Sequence, residues 1–275
     1  MKTTVILKLL ALTLILTVPV LTVQAQGISE NELIIYYSFD EDSLKEGDVL
    51  DKSENGNDGV IRGDIKVVEE GKVNGCMEFP GGAANYISVR NHHYANLFPE
   101  LTLAVWVKTA QRGMIASWDR SEFFRFAVGD DVGGNASTTF VAFDVCCPIK
   151  DWWGETDVAD DDWHHVVATF DAEMKRIYVD GELDVEAATD TNDKMIGKVI
   201  TRYGFIGIGS EAAAFDANRG PTWAFNGLMD EFLMFHRALS EDEVTHLANA
   251  SGDPFTSVEP ADKLSVTWGK IKSTE

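Results

Sequence analysis

The sequence predicts an all-β protein, a sandwich or barrel of antiparallel strands followed by one short C-terminal helix. Three observations carry that reading. Residues 163–181 (WHHVVATFDAEMKRIYVDG) have the period of two that marks strands: Val166, Ala168 and Phe170 alternate with Val167 and Thr169, then Ile177 and Val179 alternate with Arg176, Tyr178 and Asp180. Short apolar runs recur along the chain, separated by clusters of Gly, Asp and Asn, a spacing typical of sandwiches and barrels. Only residues 240–250 (SEDEVTHLANA) read as a helix, with Ser240 and Glu243 as a capping box and Val244 and Leu247 as the inner face.

The elements follow in order. Residues 1–25 read as a secretory signal: Lys2 and Lys8 precede an apolar run from Leu9 to Val23, and Val23-Gln24-Ala25 supplies small residues for cleavage, so the mature chain is expected to begin at Gln26. The run is shorter than the roughly 20 residues a membrane span needs, and no membrane insertion is expected after cleavage. A lead-in at 26–31 is followed by one domain at 32–250, since all-β units of about 200–250 residues are commonly single domains. Residues 33–39 form the first strand, and 40–59 an acidic loop whose Asn-Gly and Asp-Gly steps, within 51–59 (DKSENGNDG), are strong turn signals. Short strands are expected at 60–61, 66–68, 76–79 and 86–89, then a loop with His92 and His93. Adjacent histidines on a strand would point to opposite faces, which favours surface residues over a metal pair.

Residues 101–108 (LTLAVWVK) put Leu101, Leu103, Val105 and Val107 on one face and Trp106 on the other. Further strands are expected at 114–118, 123–128 and 138–145, with Trp152-Trp153-Gly154 in a loop. The hairpin then turns at 171–175 and again at Asp180-Gly181, where Gly suits the positive φ of a type I′ or bulged turn, and a third strand runs through Leu183, Val185 and Ala187. Loops at 190–197 and 210–222 flank a strand at 203–209 (YGFIGIG). Residues 225–235 (FNGLMDEFLMF) hold an acidic pair, Asp230-Glu231, within an apolar strand, where an unpaired charge would cost several kcal/mol. A tail occupies 251–275.

The charge is −22, or −24 once Lys2 and Lys8 leave with the signal. Such a field repels phosphate backbones and anionic lipid surfaces, which excludes nucleic acid as a partner class. It suits an exported protein, extracellular or periplasmic. The three cysteines, Cys76, Cys146 and Cys147, allow either a pair from Cys76 to one of the other two or a vicinal ring; the long-range pair is the easier geometry. Asn135 and Asn249 head glycosylation sequons.

Trp163-His164, Phe170-Asp171 and Tyr178-Val179-Asp180-Gly181, followed by Phe225-Asn226-Gly227, Met229-Asp230-Glu231 and Arg237-Ala238-Leu239-Ser240, resemble the LamG-like family of the concanavalin A-like lectin and glucanase fold. Tyr37-Ser38-Phe39-Asp40 and Asn55-Gly56-Asn57-Asp58-Gly59 fit the start of the same family, so the resemblance covers about residues 32–250. It implies an antiparallel jelly-roll β-sandwich whose concave face or edge loops hold sugars in some members, with extracellular glycan or protein surfaces as partners. It also implies a structural Ca²⁺ held by Asp40, backbone oxygens near Asn57, and Asp230, a donor set of the oxygen type this ion prefers.

Two further features bear on function. Glu182-Leu183-Asp184-Val185-Glu186 has the E-x-D-x-E pattern of retaining β-glucanases of this fold. A retaining pair needs carboxyls about 5–5.5 Å apart, whereas strand positions four apart are separated by about 13 Å at Cα; solvated acids alternating with Leu183, Val185 and Ala187 explain the string without catalysis. The expectation is therefore a non-catalytic binding module. Trp152, Trp153 and Trp223, with Phe215, lie in loop-like segments where aromatic faces could stack on sugar rings, or fold back as core plugs.

Overall fold

In the computed structural model, residues 28–119, 121–129, 138–146, 152–189, 194–220 and 223–255 are described. The signal segment, Asn135, Cys147 and the tail from 256 onward lie outside them. The strands are β1 (Leu33–Tyr37), β2 (Leu44–Lys45), β3 (Asp48–Val49), β4 (Gly59–Arg62), β5 (Lys66–Val68), β6 (Cys76–Pro80), β7 (Tyr86–Tyr94), β8 (Leu101–Lys108) and β9 (Gly113–Ser117). There follow β10 (Phe124–Val128), β11 (Phe140–Val145), β12 (Trp153–Asp157), β13 (Trp163–Phe170), β14 (Met174–Val179), β15 (Glu182–Ala188), β16 (Arg202–Ile206), β17 (Asn226–Phe235) and the helix α1 (Glu241–Asn249).

They form two antiparallel sheets. One has eight strands, in the order β15-β14-β13-β8-β17-β6-β5, with β1 also paired to β17. The other has nine, in the order β12-β11-β10-β9-β16-β7-β4-β3-β2. The strand content, the two antiparallel sheets and the single short helix are those of the predicted jelly-roll sandwich. Asp180 and Gly181 both have positive φ, 53° and 86°, as expected for the turn leaving β14.

The main core lies between the sheets. Leu101, Leu103, Val105 and Val107 of β8 enter it with Val166, Ala168 and Phe170 of β13 and Ile177 and Val179 of β14, as the alternation predicts. The opposite face of the eight-stranded sheet is buried too. Ala104, Val167, Tyr178, Leu233 and Phe235 pack there against Leu239, Val244 and Leu247, so α1 acts as a lid over that face. The helix begins with the predicted capping box, in which Ser240 accepts from the Glu243 amide and the Glu243 carboxylate accepts from the Ser240 amide.

Several expectations are corrected. The strand β7 continues through His92 and His93 to Tyr94, where a loop was expected. Trp153 and Gly154 open the strand β12, because Trp153 pairs with Ala142 of β11. In β17 the simple alternation fails at a bulge: the register with β8 shifts between Asp230 and Leu233, and Glu231 takes a positive φ of 53°. One extra residue on the bulged strand swaps the faces, so Met229, Phe232 and Met234 enter the main core while Leu233 and Phe235 meet the helix.

Candidate functional site

The outward face of the nine-stranded sheet gathers the aromatic and polar groups that could meet a ligand. In β10, Phe124, Phe126 and Val128 point into the core, which turns Arg125 and Ala127 outward; in β11, Val141, Phe143 and Val145 do the same for Ala142 and Asp144. Arg125 and Asp144 are almost fully buried and paired, Nε donating to Oδ2 at 2.5 Å. The Trp223 ring lies over the guanidinium, 5.0 Å away, an arrangement in which the ring's electron-rich face meets a cation.

Two of the three predicted tryptophans converge here. Trp153 and Trp223, both half-buried, pack on Met114, Ala127 and Ala142. Trp223 is anchored by its own carbonyl, which accepts from the Met114 amide at 2.7 Å. That approach requires Gly113, since a Cβ there would sit 2.7 Å from the Phe225 Cα. Trp153 is held from the other side: Asp184 accepts from the Glu155 amide at 2.8 Å and from the Thr156 hydroxyl at 2.7 Å, tying β12 to β15 across the edges of the two sheets. The third, Trp152, packs instead against the main core, with its indole nitrogen buried and unpartnered. It is a plug, and not part of the face.

Beside the pair is a shallow recess of about 60 Å³ lined by Met114, Ser117, Asp119, Arg125, Ser210 and Glu211. Asp119 is held by Arg202, Nε to Oδ2 at 2.5 Å, and Arg202 also lies 3.6 Å from Glu122. Burial and the neighbouring Asp119 push the Glu122 carboxyl up. One wall of the recess is Gly209, Ser210 and Glu211, in a segment whose Ile208 and Ala212 pack on Tyr86 and Phe205. Its clamp is Asp216, which accepts from Ser88, Tyr86 and Arg62 at 2.5, 2.9 and 2.8 Å. Burial alone would raise the Asp216 carboxyl, but these donors outweigh it and hold it below the usual range.

The predicted calcium ligands come together only in part. Asp40 and Asp230 meet the same turn: Asp40 accepts from the Gly75 amide at 3.1 Å and Asp230 Oδ2 from the Val73 amide at 2.9 Å. Asp230 is fully buried and its Oδ1 accepts no hydrogen bond. Burial, with the charge of Asp40, pushes Asp230 up to about 7. Asn57 does not join them. Its amide donates to the Ile34 carbonyl at 2.8 Å and its carbonyl accepts from Tyr37, so it braces β1. Among the described residues no group of three or more His, Cys, Asp or Glu could hold a metal ion. A cavity of about 600 Å³ lined by Asp40, Glu41, Asp42, Glu69 and Asn74 opens next to this turn.

The remaining candidates are placed plainly. Glu182 and Glu186 are exposed on the edge strand β15, Glu186 facing Arg176 at 3.2 Å, and Asp184 is consumed by its bonds to β12. Cys76 is a buried free thiol, so the favoured long-range disulfide to Cys146 or Cys147 does not form; Cys76 and Cys146 lie in different sheets or their margins. Cys146 is itself disulfide-bonded, and Cys147 lies outside the described residues. His92 and His93 do point apart, but only His93 is exposed; it stacks on Tyr203, whereas His92 packs among Tyr94, Trp118 and His236.

Sequence reasoning missed Arg125, Asp144, Asp119 and Ser117. A usable signal existed for one of them: Arg125 lies between Phe124 and Phe126 in an apolar strand, the same anomaly that drew attention to Asp230.

The fold is an antiparallel jelly-roll β-sandwich. Residues 81–245 match the family described as the concanavalin A-like lectin/glucanases superfamily, more than half of the chain, and the protein belongs to that family. Among solved structures it is similar to the binding domain of Paraclostridial Mosquitocidal Protein 1 (TM-score 0.58, 13% identity, covering 80% of this chain and 52% of that one). It is also similar to domain 4 of AbnA, a GH43 extracellular arabinanase from Geobacillus stearothermophilus, in complex with arabinotriose (TM-score 0.57, 19% identity, 80% and 100%). A third is a botulinum neurotoxin type C structure, described by the dependence of cell entry on two ganglioside molecules (TM-score 0.57, 12% identity, 82% and 52%). The chain thus spans about half the length of the two toxin chains. No curated protein sequence matches it. Among the described residues no helix is long and apolar enough to cross a membrane.

Proposed function

We propose that this protein is a secreted, non-catalytic module that binds carbohydrate on the outward face of its nine-stranded sheet. The observation that carries the reading is the convergence of Trp153 and Trp223, from segments 70 residues apart, beside a polar recess. Half-exposed indoles offer apolar area to the C–H face of a sugar ring, while Ser117, Asp119 and Glu211 offer hydrogen bonds to its hydroxyls. Two structural neighbours, one in complex with arabinotriose and one whose cell entry depends on ganglioside, support the reading, as does the apolar N-terminal run for export. Against a hydrolase of the same fold, the Glu182–Glu186 string lies on an exposed edge and its central acid is engaged in holding β12.

The test is a glycan array with the native protein and with Trp153→Ala and Trp223→Ala. Binding reduced at least tenfold by either change, with the melting temperature nearly kept, is the expected result. Unchanged binding in both variants overturns the assignment of the face. Trp152→Ala is the control: it should leave binding in place but lower stability by about 2 kcal/mol through lost core contact.

Asp40 and Asp230 are further proposed to hold a structural Ca²⁺ with oxygens of the neighbouring turn. The support is the unpartnered Oδ1 of Asp230 and the turn shared by the two carboxylates; the ion would add positive charge to a corner where Lys52 lies 3.7 Å from Asp40.

A further inference from the structure

We infer that the glycan this face accepts is uncharged, and that uronate, sulfated and sialylated chains are excluded by the protein's own carboxylates. The inference rests on the sugar-binding reading of the Trp153–Trp223 face and names the class of sugar.

An acidic ligand needs a cation that is free to receive it. Among the described residues, the cation that lines the recess, Arg125, and two that flank it, Arg202 and Lys198, are already engaged by carboxylates. Arg125 is paired with Asp144 and covered by Trp223. Arg202 is paired with Asp119 and Glu122, and Lys198 lies 3.7 Å from Glu122. Releasing Arg125 to a ligand would break its ion pair with Asp144, which is 2% exposed, and a buried pair is costly to break.

The acids on the rim are placed otherwise. Glu211 lines the recess and is exposed. Glu155 and Asp157 follow Trp153 at intervals of two along β12 and are also exposed. A ligand carboxylate or sulfate stacked on these indoles would therefore meet the exposed Glu211 and Glu155, while the lining cation Arg125 stays committed to Asp144, on a chain whose total charge is already −22. Hydroxyl groups meet no such penalty, because a carboxylate accepts from a hydroxyl, and Arg202 holds Asp119 in position.

Two physical consequences follow. Affinity for a neutral glycan depends weakly on salt, since no ions are exchanged on binding. Discrimination against acidic glycans depends strongly on salt, because exposed charges are screened within a Debye length, about 30 Å at 0.01 M and about 3 Å at 1 M.

The experiment is an array of neutral, uronate-containing, sulfated and sialylated glycans probed with the full chain at about 0.01 M and about 1 M salt, with the hits titrated in solution. The expected result is binding to neutral glycans that changes less than about twofold with salt, and acidic counterparts at least tenfold weaker at low salt, the gap narrowing at high salt. The double variant Glu155→Gln, Glu211→Gln removes two exposed acids and should narrow the gap at low salt. A preference for acidic glycans that is weakened by salt and lost in Trp223→Ala overturns the charge class while leaving the sugar-binding face standing. Absence of any glycan binding, or binding that survives both Trp153→Ala and Trp223→Ala, overturns the face and this inference together.

Discussion

Raising the pH from 6.5 to 8 should destabilise the metal-free protein, and two adjacent carboxyls set the size of the effect. Burial pushes Asp230 up to about 7 and Glu231 up to about 8; Glu231 accepts from the Tyr36 hydroxyl at 2.7 Å, and the charges of Asp230 and Asp40 add to its shift. A group whose folded pKa is raised stabilises the fold fully below its unfolded value, near 4, and that contribution is lost as the pH rises through the folded value. The buried histidines act in the opposite sense. Burial lowers His92 and His165 to about 3, so their contribution is present above the unfolded value near 6.5 and is lost below it. Between pH 4 and 6.5 the two sets offset one another; above 6.5 the acids lose their contribution, and His164, which burial would lower but Asp180 and Asp160 raise, loses its own in the same direction.

Over that window Asp230 has about half a unit left to titrate and Glu231 about one and a half, which at 1.36 kcal/mol per unit amounts to about 3 kcal/mol. For a domain of this size the melting temperature should fall by roughly 6–12 °C. The assay is thermal and urea unfolding in EDTA at pH 6.5 and 8.5, repeated for Asp230→Asn and Glu231→Gln, each of which should flatten the slope. Equal stability of the native chain at the two pH values would refute the reasoning. Added Ca²⁺ should restore most of the loss at pH 8.5 in the native chain but not in Asp230→Asn; if it restores nothing, the calcium proposal falls while the proton linkage stands.

Arg125→Met should cost about 3–5 kcal/mol, because it leaves Asp144 charged and buried, whereas Arg125→Met combined with Asp144→Leu should recover much of that, as measured by urea unfolding. On mixed-linkage glucan and laminarin the native protein should release no reducing ends, and Glu182→Gln should match it; turnover abolished by that substitution would establish the hydrolase instead.

The strands and their inward faces were legible because side-chain alternation is a local property. Leu101 to Val107 and Val166 to Phe170 each declare a buried face within a few residues, and the Ser240–Glu243 box declares the start of the helix. The bulge at Glu231 was not legible, since an extra residue in β17 has meaning only against the register of β8. Nor was β12, because Trp153 becomes a strand residue only when it pairs with Ala142 and is tied through Asp184 to the other sheet.

For the candidate site the division is sharper. The amino-acid sequence by itself determined the family, the sandwich, the acidic charge and the aromatic candidates. Only the tertiary structure separated Trp152, which fills the core, from Trp153 and Trp223, which share a face, and only it joined Asp40 to Asp230 while leaving Asn57 to brace β1. The physical reason is that a binding face is assembled from side chains distant along the chain, and their convergence depends on sheet register, on the close approach permitted at Gly113 and on the clamp at Asp216. None of these is encoded in any single stretch.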